Sequence, residues 1–543
     1  MSTNKLATDK VEVAYSDPPA PKDFEELKHG DRALALIGNE RVSLTDEDNK
    51  RIRRKTDKML LSILVWVYFL QILDKTLLGY GATFGMREST HLKGNQYSTV
   101  GSINAIAQLA WQPFSSYLIV KVPHRILMPS LCLGWGIAQT SMAACNSFSD
   151  LMASRFFLGL FEAGCLPLFS IITSQWYRRS EQPMRVAAWY ATNGAATVFA
   201  SALSYGLGHI QSDALESWRI IFLFVGLITI VSAPIVYWRL ANDIPSCRFL
   251  SEMEKAMAIE RLRANQTGTG SNEFKWSHIL ELATDVKTYL YVALSLLLNV
   301  GASVTNTFGP LILGGLGFDK YTTSLLNMPF GTMQVIVILS ASYATTRLRI
   351  KSAILLALVV PVIAGLAILY AMPHTKANEG ALLTGYYLLA FLFGGNPVMI
   401  AWIVGNTAGT TKKSAVMSVY NAGSAVGNIV GPLIFNSATA PEYHPGLKAV
   451  LGVFVALAVC TIILTAYLVF LNKLQERKRV KNGKTAKIVD HSMERHYHDA
   501  SEQVDTTGVA GGDAELAHSH HRVGENAFLD LTDRQNDEFV YIY

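Results

Sequence analysis

The sequence predicts an all-α membrane protein whose twelve transmembrane helices form two six-helix bundles. Three observations predict this class. Half of the 543 residues are hydrophobic and only 16% are charged, against about 25% charged in an ordinary soluble domain. Mean hydropathy is positive, at +0.25. The charges crowd into the start of the chain, a central stretch and the end, and leave apolar blocks of spanning length between them. A bilayer core about 30 Å thick takes roughly 20 apolar helical residues, and there are twelve such blocks, six on each side of the central stretch.

The elements follow in order. Residues 1–58 form a polar tail with no short apolar core and no small-residue cleavage site, so a signal peptide is not expected and the first apolar block is a retained span. Within this tail the Thr45-to-Asp48 pattern caps a helix that runs through Arg51 to Lys58 into the first span. The first bundle, 59–240, holds spans at 59–80, 98–118, 126–145, 150–174, 185–208 and 217–240. A loop at 241–287 follows. In it Ser251 and Glu254 make a capping-box pattern. Leu250, Met253, Met257 and Leu262 recur at near-helical spacing, which predicts a short amphipathic helix along the membrane surface. The Gly/Thr-rich stretch 265–272 reads as flexible. The second bundle, 288–471, holds spans at 288–310, 322–344, 352–372, 382–404, 413–434 and 447–471. The tail, 472–543, opens basic, turns polar and is expected to be disordered.

Loop charges set the orientation. One set of loops carries Lys121, Arg125, Arg178, Arg179, Arg185, Arg347, Arg349, Lys351, Lys412 and Lys413. The opposite set carries Arg87, Lys93, Lys320, Lys376 and Lys448, with Arg219 at a span edge. Both termini and the central loop fall on the basic side and are therefore expected in the cytosol. The sequon Asn265-Gln266-Thr267 falls there too and is discounted.

Several functions are excluded. A net charge of +5 is too small and too scattered for nucleic-acid binding. Five cysteines, Cys132, Cys145, Cys165, Cys247 and Cys460, show no CxxC spacing and imply neither a disulfide framework nor a zinc site. His518, His520 and His521 in the tail have no evident second-shell partner, so no metal is expected there. The chain has no HExxH, no nucleophile elbow and no Walker loop, which argues against an enzyme or an ATP-driven pump, and no cofactor is expected.

An ionisable side chain inside a span is costly and marks function by default. Four stand out: Asp74 and Lys75 in the first span, Arg155 and Glu162 in the fourth. At a rise of about 1.5 Å per residue, Asp74 and Arg155 lie at equal depth, roughly 8–9 Å below the outer face, where they are placed to pair. Glu162 lies two turns below Arg155 on the same face, near mid-membrane, where desolvation favours the neutral acid and suits it to carry a proton. The second half offers amides instead: Asn299, Asn306, Asn396, Asn406, Asn421 and Asn428, with Tyr420 beside Asn421. Asn193, Gln108 and Gln112 add to these in the first half. Such amides hold a polar substrate or bind helix to helix. Gly423, Gly427 and Gly431 form a ridge for close packing, and Pro167, Pro310, Pro397 and Pro432 mark bends.

At these residues a resemblance enters. Leu73-Asp74-Lys75-Thr76, the run Arg155 to Gly159 with Glu162-Ala163-Gly164 and Pro167, and the loop from Ile244 through Arg248-Phe249-Leu250-Ser251 to Gly268 resemble the fungal anion:cation symporters of the major facilitator superfamily. The ending Phe528-Leu529-Asp530-Leu531-Thr532-Asp533, with Phe539 and Tyr541, is similar to that of their allantoate-permease branch. The resemblance runs from about residue 45 to the end. It implies the major facilitator fold, with Asp74 and Glu162 as proton-linked acids and Arg155 as partner of Asp74. It places Asn193 and Asn421 at the substrate, with Lys75 where relatives often carry Arg; Tyr420, beside Asn421, is counted with them. One departure stands out: the loop Lys121-Val122-Pro123-His124-Arg125 lacks the Asp on which the family's gating interaction is built.

The reading is a proton-coupled plasma-membrane importer of a small organic anion, such as allantoate, ureidosuccinate, nicotinate or pantothenate. It works as a monomer in the lipid bilayer by alternating access. Efflux of a secondary metabolite and a nutrient sensor on the same fold are the alternatives.

Overall fold

The computed structural model describes residues 42, 44–83, 85–93, 96–208, 215–263, 265, 273–315, 320–373, 376–434, 444–483, 486 and 529–543. Every expected span falls on helix. In the first half these are α1 (Asp46–Thr56), which leads through a π turn (Asp57–Leu61) into α2 (Ser62–Thr83). Then come α3 (Gln96–Lys121), α4 (His124–Met142), α5 (Phe148–Glu162) with α6 (Cys165–Trp176), α7 (Gln182–Tyr190) with α8 (Thr192–Gly208), and α9 (Ser217–Arg239). Two short helices follow, α10 (Glu252–Arg263) and α11 (Trp276–Thr284). The second half holds α12 (Val286–Gly315), α13 (Lys320–Leu348), α14 (Lys351–Ala371), α15 (Glu379–Leu388), a 3-10 stretch (Leu389–Gly394), α16 (Gly395–Gly405), α17 (Thr410–Ile434) and α18 (His444–Lys481). Among the described residues, eight helices are long and apolar enough to cross a membrane on composition alone.

Each start signal has its structural counterpart. The Thr45 hydroxyl accepts from the Asp48 amide at 3.2 Å. At α10 the Glu254 amide donates to the Ser251 hydroxyl at 3.3 Å, and the Ser251 amide donates to the Glu254 carboxylate at 3.1 Å. This helix packs on the first bundle. Ala258, Ile259, Arg261 and Leu262 are buried against the first bundle, held by Glu254 with Lys55 and by Arg261 with Glu181. Met253 of α10 stays exposed, as do Trp276 and Leu280 of α11.

The bundles meet along two seams. In one, α3 lies along α17; in the other, α8 lies along α13. Near the termini-bearing face the Ser414 hydroxyl donates to the Ser116 carbonyl at 3.2 Å across the first seam. A Cβ on Gly194 would strike the Gly331 backbone across the second. Inside the second bundle the Gly423, Gly427 and Gly431 ridge packs on α12. Cβ atoms there would meet the carbonyls of Val292, Leu296 and Val300 at 2.9, 2.7 and 2.9 Å. All five cysteines are free.

The expectation of a disordered tail from residue 472 also needs correction. Helix α18 continues to Lys481. Within 529–543, Asp530, Thr532, Asp533, Phe539, Tyr541 and Ile542 are buried. The average polarity of the tail concealed a short run of apolar side chains and paired acids with partners on the second bundle. His518, His520, His521 and the Gly/Thr-rich stretch 266–272 lie outside the described residues.

Candidate functional site

The site is organised by a break in the fourth pass. Pro167 has no amide hydrogen, so the carbonyl four residues earlier, on Ala163, loses its helical donor. The pass is accordingly interrupted between α5 and α6 at Ala163 and Gly164. Side-chain amides take up the freed backbone. Gln112 of α3 and Asn421 of α17 both donate to the Ala163 carbonyl, at 3.2 and 3.1 Å. Gln71 of α2 donates to the Glu162 carbonyl at 3.4 Å. Unsatisfied backbone inside a membrane costs several kcal/mol per group, which explains why three amides converge here. Asn421 reaches across from the second bundle, so the break is also a point where the two halves touch.

Glu162 ends α5 beside this break. Its side chain is fully buried, and one carboxylate oxygen takes a hydrogen bond from Gln108 at 3.0 Å and a longer one from Asn104 at 3.4 Å. The same oxygen faces the Lys75 ammonium at 3.7 Å. Its other oxygen has no hydrogen-bond partner. Lys75 is 39% exposed although Glu162 is closed off, so the lysine stands at the rim of accessible space with its counter-ion behind it.

The expected Asp74–Arg155 ion pair is not formed. Both side chains are buried, but neither Asp74 oxygen has a hydrogen-bond partner, and the Arg155 Nε and Nη1 groups have none either. Arg155 lies within electrostatic range of Glu162, Tyr97 and Asp74 without a direct contact to any of them. The helix explains the change of partners. Successive residues point about 100° apart, so Lys75 faces α5 while Asp74 turns toward α4 and Trp135. Equal depth did not ensure equal azimuth.

Asn193, Tyr420 and Asn421 gather on the termini side of the break. The Tyr420 hydroxyl donates to the Asn396 side chain at 2.8 Å, and Asn193 donates to the Tyr190 carbonyl at 2.8 Å. The Tyr68 and Tyr190 rings pack beside them, tilted, with centroids 5.6 Å apart. Sequence reasoning missed Tyr68, Tyr190 and Asn104. Asn104 was legible in principle, one helical turn before Gln108 on the same face of α3. Of the other amides, Asn299 folds back onto its own helix, on Ser295, and Asn406 holds the C-terminal segment.

Comparison with known proteins adds a consistent picture. A family model described as Major Facilitator Superfamily matches residues 64–432. The chain is 30% identical over 560 residues to the thiamine pathway transporter of Saccharomyces cerevisiae, covering 100% of this chain and 96% of that protein. It is 27% identical over 528 residues to the allantoate permease of the same yeast, covering 94% and 90%. Among solved structures it is similar to a human organic anion transporter, with a TM-score of 0.53 at 15% identity, covering 75% of this chain and 99% of that one. That likeness speaks to fold alone.

Proposed function

Because this chain belongs to the Major Facilitator Superfamily and is a multi-pass membrane transporter of a small molecule, not an enzyme, we propose a specific task for it. It imports a small organic anion across the plasma membrane, coupled to protons, as a monomer with both termini in the cytosol. The supporting observation is the charge group of Asp74, Lys75, Arg155 and Glu162, buried or half-buried in the first bundle. Facing it, the described spans of the second bundle carry ionisable Lys, Arg, Asp and Glu only near their ends.

The electrostatics give a coupling mechanism. With both acids ionised, the two cations and two carboxylates cancel. One proton on Glu162 removes the counter-ion of Lys75 and leaves one net positive charge. A substrate carboxylate then takes the place that Glu162 gave up, next to the rim-exposed ammonium. Lys75 acts as a point charge with rotatable donors and does not select one carboxylate geometry. Buried Arg155, with unpartnered donors, adds to the attraction. Asn421, Tyr420 and Asn193 offer polar contacts on the far side, beside the tyrosines. Binding of proton and anion each favours the other, which is the linkage a symporter needs. The names of the relatives and the earlier resemblance point to allantoate, ureidosuccinate, nicotinate-like or pantothenate-like acids.

The test is uptake of a labelled anion panel in transporter-deleted yeast at about pH 5 and about pH 7.5, with wild type and Glu162→Gln. The expected result is one anion taken up faster at the lower pH, with that advantage abolished by the substitution. Uptake insensitive to both would overturn the coupling role of Glu162. Surface-expressed protein that accumulates none of the panel, while lowering the cellular content of another acid, would replace import by efflux.

A further inference from the structure

The C-terminal segment 529–543 is built into the termini-bearing face with unusual thoroughness. Asp533 is fully buried between two lysines of the second bundle, 2.5 Å from Lys287 and 2.9 Å from Lys412. Asp530 accepts from the amide and hydroxyl of Thr410 at 2.7 and 2.9 Å, capping the start of α17 from a distant part of the chain. Asn406 holds the Ile542 backbone on both sides, donating to its carbonyl and accepting from its amide, each at 2.8 Å. Asn472 does the same for Tyr541, and Trp402 donates to the Ile542 carbonyl at 2.8 Å. All of these contacts are to the second bundle.

Another contact goes the other way. Arg179 lies in the loop between α6 and α7, in the first bundle. Its guanidinium sits 4.4 Å from the Phe539 ring centroid and donates to the Val540 carbonyl at 3.2 Å. Arg179 and Phe539 are both buried, where a cation on a ring face is worth more than at the surface.

We infer that residues 529–543 are the latch of the gate on the termini-bearing face. Asp533 anchors the segment to the second bundle, and Phe539 with the Val540 carbonyl catches Arg179 of the first. The inference rests on alternating access, in which this face must open once per cycle. It does not depend on which solute is carried or on proton coupling. When the bundles separate here, the Arg179 contacts are the ones that part, while the anchor travels with the second bundle. The segment thus biases the cycle toward the state closed on this side. The loop between α3 and α4 lacks the acid expected to hold this gate, and the C-terminal segment supplies an alternative tie.

The test reads the gate directly. Ser414 is buried on the α3–α17 seam at this face. Ser414→Cys in the full chain reports opening by its reaction rate with a membrane-impermeant maleimide, in vesicles exposing the termini-bearing face. No substrate is needed, so failure of the anion reading leaves the result intact. Phe539→Ala and Arg179→Ala are each expected to raise the labelling rate about 5- to 30-fold, within the range of ordinary coupling between sites. Phe539→Trp retains the slow rate. The double variant labels no faster than the faster single, because Arg179→Ala already removes the ring contact that Phe539→Ala removes. If Arg179→Ala does not fold, Phe539→Ala set against Phe539→Trp decides alone. Unchanged labelling in Phe539→Ala, or equal acceleration by alanine and tryptophan, would overturn the latch.

Discussion

Replacing Asp533 by Asn removes one charge from the most enclosed ion cluster described in the chain. The wild-type carboxylate meets Lys287 at 2.5 Å and Lys412 at 2.9 Å, and it accepts from the Tyr541 hydroxyl at 2.9 Å. The two lysines do not suffer equally. Lys412 keeps Glu281 at 2.8 Å and Asp285 at 3.1 Å. Lys287 is left with the Asn406 carbonyl at 2.9 Å and Asp285 at 3.7 Å. Removing one member of a buried pair costs about 3–5 kcal/mol. Asn preserves shape and an acceptor for Tyr541, so the lower end, about 3 kcal/mol, applies. That corresponds to a factor on the order of a hundred in docking of the segment. Hydrogen exchange of purified full-length protein measures it: the Tyr541 and Ile542 amides should lose about two orders of magnitude of protection, while α9 is unaffected. Unchanged protection in a monodisperse variant would refute the reasoning.

The same group fixes the acid behaviour of the wild type. Burial pushes the Asp533 carboxyl up, but Lys287 and Lys412 outweigh it and hold the group well below the usual carboxylate range. Its contribution is therefore whole above the unfolded value of about 3.9 and is lost as pH falls through the lower, folded value. For acid release the carboxylate governs. Docking of 529–543 should be constant between about pH 5 and pH 7 after correction for intrinsic exchange, and weaken only below about pH 4.

Three further outcomes follow from particular contacts. Gly159→Ala places a Cβ 2.9 Å from the Asn104 Cα and 3.0 Å from its carbonyl carbon; since backbone must yield, the expected cost is about 1–3 kcal/mol. Detergent melting should show a lower midpoint, and uptake should fall because α3 carries both amides that hold Glu162. Glu181→Gln removes the buried partner of Arg261 and Arg53, with an expected loss of about 3–5 kcal/mol in the packing of α10, visible as faster proteolysis of the loop at 241–287. Burial raises the Glu181 carboxyl, but Arg261 and its neighbours outweigh this and leave it below the usual range; its contribution is present above about pH 4.3 and lost on further acidification. Ser251→Ala breaks the capping box of α10 and should cost about 1 kcal/mol, seen as increased exchange in the first turn of that helix alone.

The sequence by itself determined the passes of this protein, because spanning a bilayer requires runs of apolar residues whose length is set by hydrocarbon thickness. It also determined the helix starts at Thr45 and Ser251, whose caps are local in sequence. It marked Asp74, Lys75, Arg155 and Glu162, because ionisable groups are conspicuous in apolar helix. Which of them touch was decided only by the tertiary structure. Depth along a helix follows from residue count, but azimuth depends on how each helix is rotated against its neighbours; this is why Glu162 and not Asp74 meets a cation. The convergence of Gln71, Gln112 and Asn421 on the break beside Pro167 likewise depends on three helices arriving at one place. The tail carried the largest surprise. Its composition is that of a solvated segment, and composition is an average. The few residues that bind, Asp530, Asp533, Tyr541 and Ile542 among them, find partners more than a hundred positions away in Lys287, Asn406, Thr410 and Lys412. No local pattern encodes a contact of that range. Only the closed packing of the two bundles brings Arg179 to the Phe539 ring.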